Sequence, residues 1–77
     1  MISREQLVDT MAESAHNAWW QTYIRLGYKS RKAAWGEEFM VPYSELSARG
    51  KDFDRMIMRA ILEKFADVGV TVGVPIR

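Results

Sequence analysis

Along two segments of this chain apolar residues recur at intervals of three and four, and between those segments they do not. The first set is Leu7, Val8, Met11, Ala12, Ala15, Ala18, Trp19, Thr22, Tyr23 and Leu26; the second is Phe53, Met56, Ile57, Ala60, Ile61, Phe65 and Val68. A helix of 3.6 residues per turn gathers such positions onto one face, so the spacing predicts helices over residues 4–26 and 51–68. Ser3 followed by Gln6 has the form of a capping box at the start of the first. Gly27 and Gly69 stand where a left-handed residue ends each helix.

Two helices with one apolar face each have only one another to bury it against. The expected fold is therefore mainly α, an antiparallel two-helix core with Trp19 facing Ile57, Ala60 or Ile61. Residues 28–41, "YKSRKAAWGEEFMV", hold no sustained period and are read as a loop with a short extended segment or two. Pro42 biases Val41 away from helix. Ser44 is expected to cap one turn, residues 45–48, which Arg49-Gly50 would end. The tail "VTVGVPIR" alternates weakly and favours a strand able to pair with the loop as a small β element. A connection of this length inside a small domain is either functional or disordered, and its aromatic residues argue for order.

Composition narrows the function classes. There is no cysteine, which removes disulfides and thiolate metal sites. The 11 basic and 10 acidic residues leave a formal charge of +1, too little for a general nucleic-acid or membrane-surface binder. No apolar run reaches the ~20 residues that cross a bilayer. The opening "MISREQLVDTMAES" scatters Arg4, Glu5, Asp9 and Glu13 among its apolar residues, unlike a signal peptide. With 48% hydrophobic residues the chain can build a core, so one cytoplasmic domain over residues 1–77 is expected.

Several residues invite a role beyond packing. His16 is the lone histidine, beside the buried face of the first helix; it reads either as a group at a site mouth or as a partly buried histidine bonded to a loop carbonyl. Trp19 and Trp20 point about 100° apart on a helix, so Trp20 is either covered by the loop or offered to a ligand or second subunit, as is Trp35. Asp52, Asp54 and Arg55 are placed in the first turn of the second helix. There a cation is electrostatically misplaced unless it meets a carboxylate or an anionic ligand. No phosphate loop, nucleophile elbow or Ser/His/Asp set is present, so neither catalysis nor a cofactor nor a metal is expected.

"HNAWW" late in the first helix, the Gly27-Tyr28 turn, "VPYSEL" followed by "KDFDR", and the closing "FADVGV" together resemble the ryanodine receptor repeat (RyR) domain family, in order and spacing, from Leu7 to Val72. By position the family motif falls on His16, Trp19, Pro42, Tyr43, Leu46, Lys51, Asp54 and Arg55. Many members carry His-Pro where this chain has Glu37-Glu38-Phe39, which argues against a phosphate-facing role for that stretch. The resemblance implies a small helical fold that occurs in tandem in calcium-release channels and singly in bacterial and phage proteins. In the channels a pair of repeats holds an adenine nucleotide between aromatic rings, and prokaryotic members are linked to sensing nucleotide-derived signals.

The implied function is noncatalytic binding of a nucleotide or nucleotide-like signal. A lone domain would act by sequestering its ligand, as a phage-encoded sponge for immune signals would. Trp19, Trp20, Tyr23, Trp35 and Tyr43 would supply rings, with His16, Pro42 and Asp54 beside them. Arg31, Lys51 and Arg55 would hold phosphate. The alternative is a protein–protein interaction module using the same aromatics. A homo-oligomer, most simply a twofold dimer, is expected because so short a chain buries little surface alone.

Overall fold

Ser3 opens the first helix as expected. Its hydroxyl accepts the Gln6 N–H (3.1 Å) while Gln6 Oε1 accepts the Ser3 N–H (2.8 Å), a complete capping box. The computed structural model describes residues 2–69, in which helix α1 runs Arg4–Arg25. Leu26 caps its end and Gly27 follows at φ +91°, a conformation glycine reaches without strain. The Gly27 N–H then bonds the Ile24 carbonyl and the Tyr28 N–H the Tyr23 carbonyl, so the last turn is satisfied.

The second helix, α2, runs Ala48–Asp67 and so begins before residue 51. Ser47 is its N-cap, its hydroxyl accepting the Gly50 N–H at 3.0 Å. Arg49 and Gly50, expected to end a turn, lie instead inside the first turn of α2. The single turn expected over 45–48 is displaced as well: a 3₁₀ turn covers Tyr43–Glu45. It starts where Pro42 (φ −57°) presets the backbone, and the Pro42 carbonyl accepts the Glu45 N–H.

The helices are antiparallel, because Glu5 meets Arg59 and Asp9 meets Arg55. Their core is not the one expected. The buried apolar residues are Val8, Ala12, Tyr43, Leu46 and Leu62, with Phe39, Val41 and Met58 packed against Ala12, Tyr43 and Leu46. Val8 and Ala12 bear out the α1 stripe, whereas Ala15, Ala18 and Leu26 are exposed. The α2 stripe faces away: Phe53, Met56, Ile57, Ile61, Phe65 and Val68 are between 38% and 66% exposed. Trp19 therefore does not meet Ala60 or Ile61 in a core. The connection is the reason, since Phe39, Val41, Tyr43 and Leu46 fill the space against α1 that the α2 stripe was expected to fill.

Residues 31–39 form the short extended piece of the loop, with one antiparallel bridge between Lys32 and Glu38. The strand expected of residues 70–77 lies outside the described residues. No helix among the described residues is long and apolar enough to cross a membrane.

Candidate functional site

Two adjacent carboxylates shape the connection. Glu37 Oε2 accepts the Ser47 N–H (2.8 Å), and its Oε1 accepts the Ser47 hydroxyl (2.6 Å) and the Trp35 indole N–H (2.8 Å). This places a negative charge at the N-terminus of α2, where the helix dipole favours it. The Ser47 hydroxyl, then its N–H, then Trp35 hold the Glu37 carboxyl below the usual range. Gly50 makes room for the contact: a Cβ there would lie 3.0 Å from Glu37 Oε2. Glu38 turns the other way and accepts from the Ser30 hydroxyl, the Arg31 N–H (2.8 Å) and the Met40 N–H (3.1 Å). Those bonds, the Ser30 one foremost, lower its pKa too. Both carboxylates are turned to their own chain.

The loop so held roofs a pocket of about 520 Å³. Its walls are the rings of Trp19, Trp35, Phe39 and Phe53 with Ile57, Met58 and small alanines, and Arg31 and Lys32 bring positive charge to it. Trp35 meets Phe39 edge-on at 5.6 Å, and the Arg49 guanidinium covers its ring at 4.1 Å. Trp19 stacks on Tyr23 (4.6 Å), Tyr23 on Tyr28 (4.8 Å), and Arg31 lies 5.6 Å from both tyrosine rings. That ladder orients Arg31 beside the pocket.

His16 and Asp54 are the polar groups within the wall. His16 is 4% exposed and is the buried polar residue of the core. Its Nε2 lies 2.8 Å from the Val41 carbonyl and its Nδ1 3.2 Å from Asp54 Oδ2. A carbonyl only accepts, so Nε2 carries a hydrogen and Val41 sets the orientation of the ring. Burial holds the Asp54 carboxyl above its usual range, and the neighbouring His16 opposes that shift.

A second polar cluster ties the scaffold together outside the pocket. The Tyr43 hydroxyl donates to Asp9 Oδ1 (2.8 Å), and the same oxygen accepts from Arg55 Nε (2.9 Å), with Arg55 Nη2 at 2.7 Å. Arg55 also reaches Asp52 at 3.1 Å, and the Tyr43 N–H donates to Asn17 Oδ1. Burial first, then the Asp9 bond, push the Tyr43 phenol up to about 12. The Tyr43 hydroxyl and then Arg55 hold Asp9 low, and the Asp9 bond raises Arg55.

The family model described as the RyR domain matches residues 2–74. The chain belongs to the RyR domain family. No curated protein and no solved structure matches it. The motif residues of this RyR domain divide into two groups. His16, Trp19 and Asp54 line the pocket, joined by Arg31 and Trp35 from the connection. Pro42, Tyr43, Leu46, Lys51 and Arg55 do not. Tyr43 and Leu46 are core, Lys51 lies over the Tyr43 ring at 5.7 Å, and Arg55 is bound to Asp9. Because α2 starts at Ala48, Arg55 lies beyond its first turn and is not misplaced against the dipole. Trp20 and Tyr23 are half-buried, Tyr23 in the ladder and neither on the pocket wall.

Sequence reasoning missed Lys32, Phe39, Phe53, Ile57 and Met58 as pocket residues, and Asp9 and Glu37 as anchors. A signal for Glu37 was present: a carboxylate ten residues before a Ser cap, in a loop obliged to return to that helix.

Proposed function

We propose that this RyR domain binds a nucleotide or nucleotide-like signal noncatalytically, in the pocket between α1, α2 and the connection. The observation that carries the reading is a pocket of about 520 Å³ with four aromatic rings in its walls and Arg31 and Lys32 beside them. That volume lies within the ~300–1,000 Å³ of small-molecule sites. Aromatic faces stack on a base for ~1–3 kcal/mol each, and a guanidinium with an ammonium suits a phosphate. Prokaryotic members of the family are linked to sensing nucleotide-derived signals, and sequestration of such a signal is the use proposed here.

A thermal-shift screen over mononucleotides, cyclic dinucleotides and ADP-ribose derivatives tests it. A true ligand adds ~2.7 kcal/mol at a hundredfold excess over Kd. The gain should vanish in Trp35→Ala and shrink in Arg31→Ala. A screen in which no nucleotide raises the melting temperature would overturn the reading.

The exposed face of α2 supports a second reading, a homodimer. Five large apolar side chains on one helix, with Val68 at its cap, exceed what scattered surface residues account for, and a twofold axis lets one such face cover its own copy. Light scattering should then show a dimer that Ile61→Asp converts to a folded monomer. A monomeric parent at high concentration would refute it.

A further inference from the structure

We infer that the pocket selects its base through the second oxygen of Asp54, and takes guanine-type rings in preference to adenine. The inference rests on the nucleotide reading above. It follows from where protons can lie in the pair that His16 and Asp54 form.

The Val41 carbonyl, 2.8 Å from Nε2, obliges that nitrogen to be the N–H of the imidazole. Nδ1 then faces Asp54 Oδ2 at 3.2 Å. A neutral ring beside an ionised carboxylate would set two lone pairs against each other in a partly desolvated site, which is unfavourable. One proton must therefore lie between Nδ1 and Oδ2, carried either by the ring or by the acid. In both placements Oδ1 is left as an acceptor, as the free oxygen of a carboxylate or the carbonyl oxygen of a carboxylic acid.

Among the described residues no side chain donates to Oδ1, while the Asp54 side chain is 19% exposed and forms part of the pocket wall. The wall thus offers an entering ring a hydrogen-bond acceptor. His16 is spent on Asp54 and Val41, and Arg31 and Lys32 are long cations suited to phosphate.

Guanine presents N1–H and the exocyclic amino group side by side, two donors toward one acceptor. Hypoxanthine presents N1–H alone. Adenine sets the N1 lone pair beside its amino group, so one of its two edge atoms opposes Oδ1. Loss of one favourable donor and its replacement by an opposed lone pair, at the lower end of what a wrong base edge costs, is about 10-fold in affinity.

Titration calorimetry on the full chain with GMP, IMP, AMP and N1-methyl-GMP, at one pH and salt, tests this. GMP should bind tightest and IMP next. AMP and N1-methyl-GMP should both be weaker than GMP by ~10-fold or more. AMP binding as tightly as GMP, or methylation without effect, overturns the base selection and leaves the nucleotide reading standing. If none of the four binds, both fall. Asp54→Ala supplies a check, because it removes the acceptor from the wall altogether. The GMP-to-AMP affinity ratio should drop while AMP affinity holds, whereas a purely structural role would weaken both nucleotides alike. An unchanged ratio in a folded Asp54→Ala protein counts against the inference.

Discussion

Helices α1 and α2 use their apolar residues in opposite ways. On α1 two of the residues that periodicity singles out, Val8 and Ala12, are fully buried, and His16 extends that face, while Ala15, Ala18 and Leu26 of the same stripe are exposed. On α2 the apolar stripe from Phe53 to Val68 is exposed, and the inner face holds Asp54, Met58 and Leu62, flanked by Arg55 and Arg59, with Gly50 against Glu37 of the connection. One helix is held by packing; the other is held by a few apolar contacts, with ion pairs to Asp9 and Glu5 along the seam. Periodicity shows that a helix has an apolar face, but not what that face meets. On α2 that face contributes Phe53 and Ile57 to the pocket and leaves its remainder open.

The largest test of this contrast compares neighbours on α2. Leu62→Ala should cost ~2–5 kcal/mol as a buried truncation. Ile61→Ala, one residue earlier on the open face, should stay within about 0.5 kcal/mol for the dilute protein. At ~4–8 °C per kcal/mol in a domain this size, melting curves separate the two readily. Equal losses would mean that the open face is packed in solution.

Next comes the seam. Arg55→Ala removes one partner of Asp9, but Tyr43 remains bonded to that carboxylate and the ion pair is part-exposed, at 28% and 47%. The expected cost is ~1 kcal/mol or less, below that of breaking a buried pair. Tyr43→Phe keeps the ring in the core and removes the hydroxyl, at ~1 kcal/mol. A cost near that of Leu62→Ala for either would show that polar contacts, and not packing, hold α2 in place.

The acid side of the pH profile sharpens the comparison further. Glu5, Asp9, Glu37 and Glu38 all have lowered pKa values, so between the folded and unfolded values the unfolded chain binds more protons and stability rises with pH. Their contribution is present above the ordinary carboxylate range, ~4, and is lost as pH falls through the folded values. Asp54, shifted upward, has the opposite sign, losing stability as pH rises through its window. With four against one, the melting temperature should fall as pH drops below ~4.5. Glu37→Gln should flatten that fall.

The smallest effect concerns Gly50. Alanine is the better helix former by ~0.5–1 kcal/mol, but its Cβ would press on a Glu37 carboxylate pinned by three hydrogen bonds. Gly50→Ala should lower the melting temperature slightly in the parent and raise it in a Glu37→Ala background. The same sign in both backgrounds would remove the close approach as the reason for glycine.

The existence of both helices and the caps at Ser3 and Gly27 were legible because each depends on neighbours within about one turn, whereas the start of α2 at Ala48 was not read. His16 bonded to a loop carbonyl was legible as one of two readings, since a lone histidine beside a buried stripe needs a partner. The pocket was only partly legible: His16, Trp19, Arg31, Trp35 and Asp54 were singled out, but so were Tyr43 and Arg55, which are scaffold. An aromatic ring with a polar tip looks alike in sequence whether its hydroxyl faces a ligand or, as here, an aspartate 34 residues away.

The chain's own order of residues determined where helices start and stop, because capping and periodicity are local. Which face of α2 would be covered was decided only by tertiary structure. The connection competes with α2 for the apolar surface of α1, and Tyr43 and Leu46 win it because Glu37 ties the loop to the α2 cap while His16, Asn17 and Asp9 bond Val41 and Tyr43 to α1. The outcome of that competition depends on contacts 25 or more residues apart in sequence, such as His16 with Val41 and Tyr43 with Asp9, and no local pattern records them.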